Sequence, residues 1–150
     1  MERINRVDLN MKIAHLIAER STCTRKKVGC VVTTSTGAII TTGYVGSPSG
    51  LPHCLDEGCI IGPNGGCIRT VHAEQAAIAF AARRGVELDN SILYVTLSPC
   101  VSCTMLIINS GIKKVVYDEE YRDTTGINTL RQAGIEVIRW KNAQDVNSVM

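Results

Sequence analysis

Between Val7 and Ala18 the apolar residues Val7, Leu9, Met11, Ile13, Ala14, Leu16, Ile17 and Ala18 recur mostly at helical spacing, which predicts an opening amphipathic helix ending near Ser21. The period then changes. Val28 to Thr34 and Ala38 to Tyr44 are β-rich runs separated by a short Ser-Thr-Gly turn, the pattern of an antiparallel hairpin. Ala73 to Arg84 is alanine-rich, with Ile78 and Phe80 among its apolar positions, and predicts a closely packed helix. Further on, strand-like runs at Ile92 to Leu97, Lys114 to Asp118 and Ile135 to Trp140 alternate with helical stretches at Cys100 to Ser110 and about Ile127 to Ala133. Gly111 and Gly134 stand where helix C-terminal caps are expected. Strands joined by crossover helices should be parallel with right-handed connections, so the expected fold class is α/β: a mixed five-stranded sheet covered by helices. The residues after Trp140 read as a frayed tail.

Val45 to Val71 breaks every periodicity. It carries Gly46, Gly50, Gly58, Gly62, Gly65 and Gly66 with three of the cysteines, and reads as one long loop. Such a loop inside a compact domain is uncommon unless it is functional or pinned, and its cysteines offer a pin.

Size and charge narrow the picture. A chain of 150 residues, 45% apolar and 20% charged, is one packed domain, here residues 1–150, and not a disordered, collagen-like or coiled-coil chain. A formal charge of +2, with one Trp, four Tyr and one Phe, supplies neither the positive field nor the stacking surface of a dedicated nucleic-acid binder. The first residues, Met1 to Asp8, lack the apolar stretch of a signal peptide, and no run reaches bilayer-spanning length, so a cytoplasmic location is expected without membrane partners. In that reducing compartment seven cysteines point to metal rather than disulfides.

The chemistry is concentrated in two segments, His72-Ala73-Glu74 and Ser98-Pro99-Cys100-Val101-Ser102-Cys103. Cys100 and Cys103 are three apart on a first helical turn, so both sulfurs face one way near a helix N-terminus that favours thiolates. With His72 as third ligand they leave the fourth tetrahedral position of a zinc ion open, as catalytic sites do. Such a zinc lowers the pKa of water, and Glu74, too close to His72 to be a comfortable ligand, suits proton transfer. Either half alone has ordinary readings: half a zinc ribbon or a redox pair for the cysteines, plain surface or core for the histidine and glutamate. Together they match the known signature of zinc nucleobase deaminases.

A second set, Cys23, Cys54, Cys59 and Cys67, reads as a structural zinc site, with His53 competing for one place; free thiols are the alternative. Cys30, inside a predicted strand, reads as a small buried apolar residue.

The chain resembles the cytidine deaminase superfamily and, within it, the short microbial and viral deoxycytidylate (dCMP) deaminases. Besides the zinc motifs, the likeness rests on Ser21-Thr-Cys-Thr-Arg-Lys-Lys-Val-Gly29, Thr42-Gly-Tyr-Val-Gly-Ser-Pro-Ser-Gly50, Pro52-His-Cys54, Cys67-Ile-Arg-Thr-Val-His-Ala-Glu74 and Tyr94-Val-Thr-Leu-Ser-Pro-Cys100. It spans about Leu9 to Trp140, and the cysteine-bearing loop separates this branch from cytidine and tRNA adenosine deaminases. The resemblance implies a cytidine deaminase-like three-layer fold and hydrolysis of dCMP: hydroxide attack at C4, protonation of N3 by Glu74 and loss of ammonia to leave dUMP. It also implies the second zinc, a homo-oligomer, often a hexamer, and control by dCTP as activator and dTTP as inhibitor, with Mg²⁺, at Tyr44, Gly46, Ser47 and Gly50. Val45, Ala73 and Ser98 are its expected substrate contacts. Thr24, Arg25 and Lys27 are candidates for the substrate phosphate, although a solvated charged turn reads equally well. Tyr121 lines the pocket or merely packs at a strand end. Two family asparagines are replaced, one by Val45, which removes an expected hydrogen bond to the sugar, and one by Ala76. The competing readings are a deaminase acting on dCTP, cytidine or another nucleobase, and a silent nucleic-acid-binding zinc module.

Overall fold

The computed structural model describes residues 1–143. Five strands form one sheet in the order β2-β1-β3-β4-β5. The strands are β1 (Gly29–Thr33), β2 (Ile39–Tyr44), β3 (Ile92–Leu97), β4 (Lys114–Glu119) and β5 (Glu136–Arg139). β1 pairs antiparallel with β2 and with β3, whereas β3, β4 and β5 are parallel. This is the mixed sheet expected from the alternation, with the hairpin strands on one side of β3 and the crossover strands on the other. All five residues of β1 are buried, as befits a strand covered on both faces.

Helix α1 (Arg6–Ala18) begins at Asn5, whose side chain accepts from the Asp8 backbone N–H at 2.8 Å. Val7 and Met11 pack with Tyr94 and Val116 on one face of the sheet. The other face, with Cys30, Val32, Leu93, Val95 and Val115, packs against α3 (Ala73–Arg83), α4 (Val101–Asn109) and α5 (Thr125–Gln132), giving the three layers. Period-two alternation along the strands divides the side chains between the two faces. Gly111 and Gly134 both adopt positive φ just past α4 and α5, where an L side chain would strain the turn.

Two expectations are corrected. The stretch from Val45 to Val71 is not one featureless loop: it holds the short helix α2 (Cys54–Glu57), stopped by Gly58 at φ 78°, and two bridges, Gly46 with Val71 and Ile61 with Cys67. Bridges between residues so far apart leave no local periodicity. The last strand stops at Arg139 rather than Trp140, and α6 (Trp140–Ala143) follows, because the Trp140 indole donates to Asp8 Oδ1 at 2.7 Å and turns the chain onto α1. The rest of the expected frayed tail, residues 144–150, lies outside the described residues. Among the described residues no helix is long and apolar enough to cross a membrane.

Candidate active site

Both halves of the deaminase-type motif are seated at helix starts. His72 is the N-cap of α3 and Cys100 the N-cap of α4, with Cys103 in the first turn. His72 is fixed by its own backbone N–H, which donates to Gln75 Oε1 at 2.8 Å. Below it the sheet grips α3 closely: Cys30 Sγ donates to the Ala73 carbonyl at 3.2 Å and Thr41 Oγ1 to the Ala77 carbonyl at 3.0 Å. Gly43 makes this approach possible, since a Cβ there would collide with Ala73 O and lie 2.8 Å from Ala77 N. Cys30 is therefore more than filler: it is fully buried and tied to the residue between His72 and Glu74.

His72 Nδ1 lies 3.5 Å from Cys100 Sγ and 3.3 Å from Cys103 Sγ, and one ligand atom from each residue falls within 4.8 Å of the others. One imidazole nitrogen and two sulfurs at this spacing are the donor set of a zinc ion that keeps a fourth position open. A hydrogen bond from Cys103, together with the His72 contact, draws the Cys100 thiol down to about 4, which presents it as a thiolate ligand. Glu74, only 4% exposed, sits beside this cluster on the first turn of α3. Burial holds its carboxyl above the usual carboxylate range.

A cavity of about 290 Å³ opens onto His72, Glu74 and Cys100, at the small end of the range for small-molecule pockets. Arg25, Val45, Ala73, Ser98 and Tyr121 line it, five of the positions expected at the substrate. Ser98 Oγ accepts from the Tyr121 backbone N–H at 2.7 Å, which pins the segment after β4 against the cavity. Thr24 and Lys27 do not line it: Thr24 Oγ1 is 3.6 Å from Cys59 Sγ, and Lys27 Nζ pairs with Glu19 at 3.1 Å. The cation that faces the cavity beside Arg25 is instead Lys26, which pairs at 3.2 Å with Glu119. Nothing in the local sequence separates Lys26 from Lys27; the direction in which the chain leaves α1 does. Thr70, also on the cavity wall, carried no signal in the sequence.

The sulfurs of Cys23, Cys54, Cys59 and Cys67 form a second cluster within 4.8 Å, with Cys54 3.6 Å from Cys67 and Cys23 4.0 Å from Cys59. Burial would raise the Cys67 thiol, but hydrogen bonds from the Arg69 backbone N–H and the Cys54 thiol outweigh it and bring it to about 6. His53 stands outside this group, its Nδ1 3.1 Å from Thr22 Oγ1, so the expected competition for a ligand place is not seen. Tyr44, Gly46, Ser47 and Gly50 are not part of the cavity wall. Gly46 exchanges backbone hydrogen bonds with Val71, Ser47 Oγ is buried without a partner among the described residues, and Gly50 takes φ 89° with open space around it.

The sequence matches the family described as the cytidine and deoxycytidylate deaminase zinc-binding region over residues 5–119. It is 42% identical to ComE operon protein 2 of Bacillus subtilis, covering 91% of this chain and 72% of that protein. It is 35% identical to the deoxycytidylate deaminase of Enterobacteria phage T4, covering 91% of this chain and 92% of that protein. In structure it is similar to the dCMP deaminase of cyanophage S-TIM5 in complex with dCMP and dUMP, with a TM-score of 0.80, 36% identity, and coverage of 93% of this chain and 99% of that one. With the match extending from before α1 to the end of β4, the chain belongs to the cytidine and deoxycytidylate deaminase family.

Proposed function

We propose that this chain, acting as one catalytic domain, hydrolyses dCMP to dUMP and ammonia. One observation carries the reading: a single cavity has a buried carboxyl, Glu74, beside the His72, Cys100 and Cys103 donor set, and the cations Arg25 and Lys26 in its wall. That combination suits a substrate with a reactive base at one end and a phosphate at the other. It also weighs against a silent binding module, which needs no buried acid.

His72, Cys100 and Cys103 would hold a zinc ion, which when bound brings the pKa of a water molecule near neutrality. Glu74 takes a proton from the attacking water, passes it to N3 of the cytosine ring as C4 is attacked, and then relays a proton to the departing amine. Its burial, which raises its pKa, favours the proton-carrying form that protonation of N3 requires. Arg25 and Lys26 bind the phosphate, Ser98 and Tyr121 border the base and sugar, and Val45 offers apolar contact where relatives carry an amide.

The same reading puts effector binding, dCTP to activate and dTTP to inhibit with Mg²⁺, at Tyr44, Gly46, Ser47 and Gly50. Its support is the pairing of Gly46 with Val71, which joins that segment to the residue before His72. A structural zinc on the four-cysteine cluster, a homo-oligomer, hexameric by resemblance, and a cytoplasmic location complete the reading.

The test is ultraviolet-monitored deamination by the zinc-loaded protein, with and without dCTP and Mg²⁺. Turnover of dCMP should exceed that of cytidine and dCTP, and Glu74→Gln should lower kcat by roughly 10²–10⁴-fold with zinc content unchanged. Preference for cytidine or dCTP would replace the substrate, and undiminished turnover in Glu74→Gln would remove Glu74 from the chemistry.

A further inference from the structure

Both cations that face the cavity, Arg25 and Lys26, stand on the short segment Cys23 to Lys27 between α1 and β1. This segment has neither helical nor strand geometry, and among the described residues none of its backbone groups pairs with another backbone group. A stretch of that kind gains no order from the sheet or the helices, so it must be held by its side chains. The Lys26 and Glu119 ion pair is too exposed to hold it, with 53% and 66% of those side chains open to solvent.

The Lys27 pair with Glu19 is as exposed, and the remaining ties lead to the four-cysteine cluster. Cys23 is one of its members, Thr24 Oγ1 lies 3.6 Å from Cys59 Sγ, and Arg25 Nη1 donates to the Gly65 carbonyl at 2.8 Å, two residues before Cys67. Cys23 and Cys67 are also part of the cavity wall, so the cluster and the cavity share a side. Cys59 belongs to the cluster but not to that wall.

The geometry points to a role for this cluster beyond holding the fold: it is the positioning element for the substrate's phosphate, clamping Cys23 to the loop so that Arg25 and Lys26 stay aimed into the cavity. The inference rests on the dCMP reading above. Four sulfurs within 4.8 Å suit zinc, and losing the ion would release both the Cys23 segment and the Gly65 carbonyl that receives Arg25. The phosphate end of the site would then loosen. The base end would not, because His72, Glu74, Cys100 and Cys103 stand on helices that do not depend on the cluster.

Cys59→Ser breaks the cluster without touching the cavity wall, and Arg25→Gln removes the tie to Gly65 while leaving all four sulfurs in place. Zinc per chain, the KM and kcat for dCMP, and calorimetric affinities for dUMP and deoxyuridine are measured on the full-length protein and both variants. Cys59→Ser should lose one zinc, raise the KM for dCMP roughly tenfold or more, change kcat little, and lose most of the preference for dUMP over deoxyuridine. Arg25→Gln should show the same loss of preference with zinc intact, as the control for the phosphate contact itself. If Cys59→Ser does not fold, Thr24→Val, which removes only the contact with Cys59 and lies outside the cavity wall, should show a smaller loss in the same direction, and an undiminished preference there would overturn the inference. A Cys59→Ser protein that loses zinc yet keeps the full dUMP preference, or that loses kcat at unchanged KM, would overturn the inference. So would an Arg25→Gln protein with undiminished preference. Wild-type protein that binds dUMP no better than deoxyuridine would instead sink the dCMP reading itself.

Discussion

The two sulfur-bearing clusters are built in opposite ways. His72, Cys100 and Cys103 stand at the starts of α3 and α4, helices whose backbone hydrogen bonds close without any metal and which rest on the sheet. The other four cysteines hang on the irregular segment between α1 and β1 and on the stretch from Gly46 to Val71, whose regular structure amounts to a four-residue helix and two isolated bridges. That stretch also leaves Leu51, Leu55, Ile60, Ile61 and Ile68 exposed, so it buries little of its own apolar surface. The donors on α3 and α4 are thus preorganised by the fold, while a cross-link among the loop donors would offset that stretch's own ordering entropy.

Metal removal should break this contrast open most widely. After chelation, hydrogen exchange should show amides between Cys54 and Ile68 losing protection by roughly 10²-fold or more, with α3 and α4 changing much less. Equal loss in the two helices would mean that the catalytic donors depend on metal as much as the loop does. Next in size is the grip of the sheet on α3. Gly43→Ala places a methyl group against Ala73 O and should destabilise the protein by about 1–3 kcal/mol in denaturant titration, with His72 and Glu74 displaced and kcat reduced. An unchanged midpoint would show that the close approach at Gly43 is not under constraint.

The smallest effect concerns Glu74 in metal-free protein. Its folded pKa is raised by burial, so the folded state holds a proton that the unfolded chain gives up, and stability is lost as pH climbs from the usual carboxylate range toward that raised value. Glu74→Gln does not titrate. Its melting temperature relative to wild type should therefore rise as pH climbs above the ordinary carboxyl pKa of about 4. A difference independent of pH would mean that Glu74 gains its charge in the folded protein without penalty.

Much of the fold was legible because its signals are local. The nearly continuous apolar run from Ile92 to Leu97 and the alanine-rich spacing from Ala73 report burial on two faces and on one, and Gly111 and Gly134 mark positive φ at helix ends. His72, Glu74, Cys100 and Cys103 were legible for a similar reason: zinc chemistry demands those residue types at helix-compatible intervals. Arg25 was legible only as one of several cations. Lys26 in place of Lys27, the Thr22 partner of His53, and the turn made by Trp140 were not, because each depends on a partner remote in the chain.

By itself, then, the sequence determined the order and type of the main elements, the sheet's mixed character and the grouping of His72, Cys100 and Cys103 as one candidate donor set. Those follow from backbone periodicity and ligand chemistry, which act over a few residues. Only the tertiary structure decided which cations face the cavity, that Cys30 and Gly43 seat the helix bearing Glu74, and that Cys23 and Cys67 serve cluster and cavity at once. Such placements are set by the packing of distant segments against one another, and no short stretch of chain contains the information.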